Sequence, residues 1–192
     1  MSNSYHLGTI TTKYLSNDEL KYEFRDYKLK VLSGEIKFTP LNLDSSKKHK
    51  DLFYFISDTF PNDIVSGSLA LSLFGLLHRQ VNDIDIIIDA KNRYDSYNKY
   101  GYSDYEFSTP NRLGYKKFKY KRGIFTSKKE YNVDFFENVG TSFITFDFDG
   151  KKIKVHNPLE VMDYKLNMAI NPKVVRSTSR KHNEDLTQIF SV

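Results

Sequence analysis

Residues 63–89 constrain the fold more than any other stretch of this 192-residue chain. A short apolar segment runs into a Ser-Gly-Ser turn, where Gly67 allows the backbone to reverse sharply with its N–H groups exposed. Residues 69–77 then carry apolar side chains at the spacing of a buried helix. An alternation of Asp and Ile that starts at Asp83 predicts a second strand. The stretch therefore reads as strand, turn, helix, loop and strand.

Two carboxylates lie on one face of that second strand. Side chains two residues apart in a strand share a face, so Asp83 and Asp85 are expected roughly 6 to 7 Å apart. Mg²⁺ removes the repulsion between such carboxylates and keeps waters and phosphates in its other positions. The Gly67-Ser68 turn offers N–H groups to a phosphate. Taken alone, the Gly67-Ser68 turn could be an ordinary helix N-cap, and the two aspartates could lie at a solvated strand end. The occurrence of both, in this order and with a helix between them, favours chemistry on a nucleoside triphosphate.

The order Gly-Ser, helix, Asp-x-Asp resembles the DNA polymerase β-like nucleotidyltransferase superfamily. The sequence of residues 66–88 is most similar to the branch that contains the AbiEii and MenT toxins, which have a His-Arg pair before the aspartates. Two positions depart from that branch: Ser66 replaces its first glycine, and Val81 stands where it often has serine. Neither departure removes a metal ligand.

The resemblance implies a third carboxylate on a neighbouring strand. Asp134 is the candidate, because it stands alone among apolar residues where an unpartnered charge would be costly to bury. Glu137 is the alternative. The family's chemistry would then use two Mg²⁺ ions, with Mn²⁺ as a substitute, held by Asp83, Asp85 and Asp134.

The resemblance also implies a nucleotide-binding set made of Gly67, Ser68, Arg79, Lys165 and Asp185. Similar toxins carry a helix whose lysine faces the nucleotide, and a closing helix whose Asp helps to arrange the site. A lysine among apolar helix positions could equally snorkel to solvent. An Asp in the last helix could equally pair with a neighbouring cation on the surface, Arg180 or Lys181.

Residues 110–129 hold eight Lys and Arg and no acidic residue. Alternation places Lys117, Lys119 and Lys121 on one face of a strand, with aromatic residues between them. Such a strand is typical of a surface that binds nucleic acid. It is equally typical of a sheet edge whose lysines prevent aggregation.

The remaining patterns predict the domain organisation. Residues 1–48 are expected to be an N-terminal appendage, with a short helix over 15–24 and a hairpin over 27–41 that turns at Ser33-Gly34. Residues 49–192 are expected to form the nucleotidyltransferase domain. Its expected class is α/β (α+β): a small, mixed, twisted sheet with helices packed mainly on one side.

Further local signals place the other elements. Residues 44–46 are expected to cap a helix that runs to about Thr59. A hairpin turn is expected at Asp149-Gly150, a helix that begins at Pro158, and a last helix over 178–190.

Composition narrows the compartment. The chain has no cysteine, which excludes disulfides and thiolate metal sites. Its first twenty residues lack the apolar run of a signal peptide, and no stretch approaches the length of a membrane span. A cytoplasmic protein is therefore expected. The net charge of +5 favours polyanionic partners only mildly.

These observations together predict a Mg²⁺-dependent transferase that moves NMP from an NTP to an acceptor hydroxyl. An RNA acceptor, such as a tRNA end, is favoured over a protein or a small molecule. A different class of protein also fits, namely a non-catalytic relative that binds nucleotides or RNA as an antitoxin or regulator.

Overall fold

The structure of the chain is a computed structural model that describes residues 14–45, 47–81, 83–88, 105–107, 117–120, 132–137 and 140–191. Lys121 lies outside these residues. None of the helices in the described ranges is long and apolar enough to cross a membrane.

One mixed sheet of seven strands organises the described chain. The strands are β1 (Ile64–Ser66), β2 (Asp83–Ile88), β3 (Tyr105–Phe107), β4 (Lys117–Tyr120), β5 (Asn132–Glu137), β6 (Phe143–Phe148) and β7 (Lys151–His156). Their order across the sheet is β3-β4-β5-β2-β1-β7-β6. The β1–β7 and β2–β5 pairs are parallel, and the other four pairs are antiparallel.

The described residues form five α-helices beside the sheet: α1 (Asn17–Leu32), α2 (Lys47–Thr59), α3 (Gly67–Leu73), α4 (Pro158–Ile170) and α5 (Arg176–Phe190). Their buried apolar residues form one core with the sheet residues Ile84, Ile86 and Ile88. Alternation along β2 therefore turns Asp83 and Asp85 away from the core. The predicted α/β class, a mixed sheet with helices mainly on one side, is confirmed.

The predicted N-terminal hairpin is wrong. Residues 17–32 form a single helix, which starts at a capping box between Ser16 and Glu19. Ser33 ends that helix and Gly34 follows with φ +80°, a left-handed conformation that glycine adopts easily. Ser-Gly is a signal for a helix end as well as for a hairpin turn, and here it is the former.

Helix α3 is shorter than the predicted helix over 69–77. Gly75 has φ +68°. Its N–H donates to the carbonyl of Ser72, and the N–H of Leu76 donates to the carbonyl of Leu71. These two bonds form a Schellman motif, which ends a helix at a glycine. Apolar side chains continue past this point because the chain stays buried after the helix has ended.

Other local predictions hold. Asp149 and Gly150 both have positive φ and join β6 to β7 in a tight hairpin. The side chain of Asn157 accepts a hydrogen bond from the N–H of Leu159, with Pro158 in the first turn of α4. Strand β7, which lies between these two turns, pairs with β1.

Helix α1 should prove to be part of the core. Leu20 is fully buried in the cluster that also holds residues of α4 and α5, so Leu20→Ala should lower the free energy of unfolding by about 2–5 kcal/mol. Leu29→Ala, on the same helix with 59% of Leu29 exposed, is the matched control and should change little. Urea unfolding measures both. Equal small losses would show that α1 folds independently of the domain.

Candidate active site

Three of the predicted carboxylate positions lie on adjacent strands. Asp85 of β2 pairs in register with Asp134 of β5 on one side and with Ser66 of β1 on the other. Asp83 lies two residues before Asp85 on the same face. The alternative Glu137 pairs with Ile88, three residues further along the strand pair. The register therefore places Asp134, and not Glu137, beside the Asp-x-Asp pair.

Gly67 approaches Asp85 more closely than any other residue type could. It has φ +63°, and a Cβ added there would overlap Oδ2 of Asp85 and lie 2.7 Å from its Cγ. Glycine is thus required both for the backbone conformation and for the space. The first residue of α3 and the second aspartate of the motif are therefore packed against each other.

A buried ionic cluster lies next to this turn. Asp185 of α5 accepts hydrogen bonds from Nε and Nη2 of Arg79, at 2.5 and 2.9 Å, and from Nζ of Lys165, at 2.6 Å. The hydroxyl oxygen of Ser68 accepts from Nη2 of Arg79 at 2.8 Å and from Nζ of Lys165 at 3.2 Å. With both lone pairs of the oxygen occupied, the Ser68 hydroxyl hydrogen points away from the two cations.

Burial strengthens the electrostatic interactions between the charged groups of this cluster. The side chains of Lys165 and Asp185 are 3% and 1% exposed, whereas that of Arg79 is 29% exposed. Burial opposes ionisation of Asp185, but its hydrogen bond from Arg79 and the charge of Lys165 outweigh burial and lower its pKa. With two cations around one carboxylate, the cluster has a net positive charge, and Arg79 is its most exposed charged side chain.

The cluster and the aspartates are close enough to interact. The pKa of Arg79 is raised mainly by its hydrogen bond to Asp185, with a smaller contribution from the charge of Asp83. Burial lowers the pKa of Lys165, and the charges of Asp185 and, more weakly, Asp85 oppose that shift. The two cations of the cluster therefore lie near the aspartates of β2.

Two of the alternatives left open by the sequence are wrong. Lys165 does not snorkel, because its ammonium group is buried and bonded on the inside of the cluster. Asp185 does not pair with Arg180 or Lys181 on the surface; Arg180 instead bonds to Glu184. Lys165 contacts Ser68 directly, so its influence on a ligand would pass through that hydroxyl.

The basic strand is not a sheet edge. Lys117 and Lys119 lie on β4, which has β3 on one side and β5 on the other. Lys119 pairs in register with Asp134, next to the carboxylates. The interpretation of this strand as a protected edge is therefore wrong, and its predicted contact with nucleic acid stays a prediction.

One part of the site was missed from the sequence. Oγ of Ser66 lies 2.7 Å from Nδ1 of His156, and Nε2 of His156 lies 2.9 Å from Oε2 of Glu160. The available signal was a His at the end of a predicted strand and a Glu four residues later, in the first turn of the next helix. Ser66 could not be added to that pair, because the parallel pairing of β1 with β7 is not visible in the sequence.

The donor set fits a hard divalent cation. No group of three or more His, Cys, Asp or Glu side chains that could hold a metal by themselves occurs in the described ranges. Mg²⁺ is ordinarily bound by one or two carboxylates together with waters and substrate phosphates, so the aspartates of β2 are sufficient protein ligands. Asp134 pairs in register with Asp85, so a second ion would be placed between these two strands.

Comparisons with known proteins are sparse. No protein-family model matches the sequence, and no curated protein matches it. Among solved structures, the fold is similar to that of an antigenic nucleotidyltransferase-like protein from Paracoccidioides brasiliensis. The two share 15% sequence identity with a TM-score of 0.48, over 79% of this chain and 78% of that chain. At this level of similarity, the chemistry is inferred from the residues of the site.

Removal of the central carboxylate should destabilise the protein. Asp185→Asn would leave the ammonium group of Lys165 buried without its counter-charge, at an expected cost of about 3–5 kcal/mol in the free energy of unfolding. Glu184→Gln, which alters the neighbouring and more exposed carboxylate, is the matched control and should change little. Urea unfolding at neutral pH compares the two variants. Equal losses would mean that the cluster contributes no more than a surface pair.

His182 should make the protein acid-sensitive. Its burial, helped by the charge of Lys165, lowers the pKa of its ring from 6.5 to about 4. The unfolded chain takes up this proton near pH 6.5, so stability present above that pH is lost as the pH falls towards 4. The loss should be about 3 kcal/mol. His182→Phe keeps a ring against Tyr164 and should show a flatter pH dependence of unfolding. Parallel curves for the two proteins would exclude this role.

Proposed function

We propose that this protein is a Mg²⁺-dependent nucleotidyltransferase that moves NMP from an NTP to an acceptor hydroxyl. The observation that carries the proposal is the juxtaposition of Asp83, Asp85 and Asp134 with the positive cluster around Ser68 and Arg79. A metal–triphosphate complex carries both the positive and the negative charge that these two groups would attract.

The positive cluster would hold the triphosphate. Four of the five guanidinium N–H groups of Arg79 are used by Asp185, Ser68 and the carbonyl of Gln80 within the described ranges. The remaining N–H of Nη1 is available to a phosphate oxygen. The Ser68 hydroxyl, with its oxygen saturated by Arg79 and Lys165, donates its hydrogen to a second oxygen.

The carboxylates would bind the divalent cation and orient the α-phosphorus. Asp83 and Asp85 are the ligands, with Asp134 next to Asp85 for a second ion. When bound, Mg²⁺ supplies Lewis-acid stabilisation of the phosphoryl group and lowers the pKa of the attacking hydroxyl. Gly67 keeps Asp85 against the turn, so the metal ligands and the triphosphate site hold a fixed distance.

An RNA acceptor is favoured by the position of the basic strand. Lys117 and Lys119 belong to β4, the strand next to Asp134, so two lysine positions lie on the strand that adjoins the proposed site. Contacts to phosphates would make acceptor binding salt-dependent, with a log–log slope of roughly −0.7 per contact for a single strand.

The test uses the second Asp-x-Asp of the chain as its control. Each labelled NTP is incubated with Mg²⁺, total RNA and either the wild type, Asp83→Asn/Asp85→Asn, or Asp147→Asn/Asp149→Asn. The wild type and the hairpin variant should label RNA. The β2 variant should lose more than about 100-fold in rate, because the charge stabilisation lost is at least that of one oxyanion donor.

Thermal unfolding separates binding from transfer. Mg²⁺ with an NTP should raise the Tm of the wild type, since a ligand at 100 times its Kd adds about 2.7 kcal/mol of stability. The rise should require both components and should be absent in the β2 variant. A Tm rise without transfer to any acceptor would identify a nucleotide-binding protein instead of an enzyme.

A further inference from the structure

The hydrogen bonds of Ser66, His156 and Glu160 form a chain that the proposed transfer reaction does not use. Ser66 ends β1, His156 ends the neighbouring strand β7, and Glu160 lies in the first turn of α4. The two links measure 2.7 and 2.9 Å. His156 is 4% exposed, so its ring is fixed between its two partners. A hydroxyl, an imidazole and a carboxylate in this order are the parts of an activated nucleophile.

The protonation of the chain follows from its charges. Burial opposes ionisation of Glu160, but hydrogen bonds from Ser142 and His156 outweigh burial and lower its pKa. A carboxylate only accepts, so Nε2 of His156 carries the hydrogen of that contact. Burial lowers the pKa of His156, which keeps the ring neutral and leaves a lone pair on Nδ1. The hydroxyl of Ser66 therefore donates to Nδ1, the orientation that a general base requires.

Ser66 has no evident structural task of the usual kind at this position. It occupies the N-cap position of α3, where a serine side chain ordinarily accepts from a helix N–H, but it makes no such bond. Its hydroxyl turns to His156 instead. Ser66 is also the neighbour of Gly67 in sequence and of Asp85 across the strand pair. The hydroxyl is thus at the edge of the site in which the triphosphate would bind.

We propose that Ser66 is a nucleophile that takes a nucleotidyl group from the bound NTP, so that the protein nucleotidylates itself. This inference rests on the proposed function for its donor. A bond forms between Oγ of Ser66 and the α-phosphorus, and the bond from that phosphorus to the bridging oxygen breaks. Pyrophosphate leaves with the electron pair of that bond. The hydroxyl proton moves to Nδ1 of His156, and Glu160 stabilises the imidazolium that results.

The product would regulate the site that forms it. An ester on Ser66 places a nucleotide beside Gly67 and Asp85, where an incoming NTP would have to bind. Each modified molecule would then be closed to transfer to an external acceptor. Hydrolysis of the ester, or a separate enzyme that removes it, would be needed to restore the site.

The experiment follows covalent mass on the full chain. Wild type, Ser66→Ala and His156→Asn are incubated with Mg²⁺ and each NTP and analysed by intact mass and peptide mapping. The wild type should gain one nucleotidyl group on Ser66, Ser66→Ala should gain none, and His156→Asn should react at least about 100-fold more slowly. Ser72→Ala is the matched control, because Ser72 of α3 forms another serine–histidine pair, with His49 of α2. It should be labelled like the wild type.

The buried ring of His156 could be needed for folding, so Glu160→Gln provides a second variant. An amide at this position can donate to Nε2, which would move the ring hydrogen to Nδ1 and remove the base without removing the ring. Labelling should fall while the Tm shift with Mg²⁺ and NTP persists. Equal labelling of Glu160→Gln and wild type would show that Glu160 does not position His156. It would also overturn the role of the Ser66–His156–Glu160 chain in the reaction.

Failure of this inference is distinguishable from failure of the proposed function. RNA labelling with an unmodified Ser66 would overturn self-nucleotidylation and leave the transferase intact. A second readout needs neither metal nor NTP: an alkyl phosphonofluoridate should phosphonylate Ser66 in the wild type and in Ser72→Ala, but not in His156→Asn. Absence of this adduct in folded wild type would show that Ser66 is not an activated nucleophile. A phosphoryl group on Ser66, in place of a nucleotidyl group, would show that the transferred group is not the one proposed.

Discussion

The carboxylate of Asp185 holds together the segments on which the site depends. It joins α5 to Lys165 of α4 and to Arg79 in the chain between α3 and β2, and both of these cations also reach Ser68 at the start of α3. A buried charge without its partner is costly, so the loss of one member of the cluster weakens the packing of the helices that carry the others. Its value is therefore geometric: it fixes the hydroxyl of Ser68 relative to the sheet.

A second constraint comes from the backbone. Gly67 lies so close to Asp85 that the turn and the strand cannot move independently. The strand pairing adds Asp134 and Ser66 to the same row across the sheet. The three side chains of Asp85, Asp134 and Ser66 are thus positioned by strand register, and not by loops. Precision of this kind is what metal and phosphate chemistry needs, because small displacements of ligands cost large factors in rate.

Local patterns were readable from the sequence, and long-range pairings were not. The Asp149-Gly150 turn and the helix start at Pro158 were predicted because a few adjacent residues determine them. The Asp-x-Asp strand was predicted from its alternation alone. The hairpin at Ser33 was wrong, since the same two residues can end a helix, and the choice depended on the burial of Leu20 and its neighbours in a distant core.

The side chains around the site show the same division. Arg79, Lys165 and Asp185 entered only through a family resemblance, and nothing in their spacing says that they share one buried cluster. The link from Ser66 to His156 spans 90 residues and depends on the parallel pairing of β1 with β7. A single sequence contains no period or turn signal for such a contact, so the second half of the site appears only in three dimensions.

The polarity of the site limits the ligands that it can accept. A simple anion drawn to Arg79 would meet the charges of Asp83 and Asp85, and a simple cation drawn to the aspartates would meet Arg79 and Lys165. Each charge pattern alone would repel half of the ligands that the other attracts. A phosphate chain with a bound divalent cation, the ligand proposed above, would suit both groups, with the carboxylates as candidate metal ligands and the guanidinium and the hydroxyl as candidate phosphate donors. The pairing of unlike charges across Gly67 is therefore complementary to the charge pattern of the metal–triphosphate complex proposed above as the substrate.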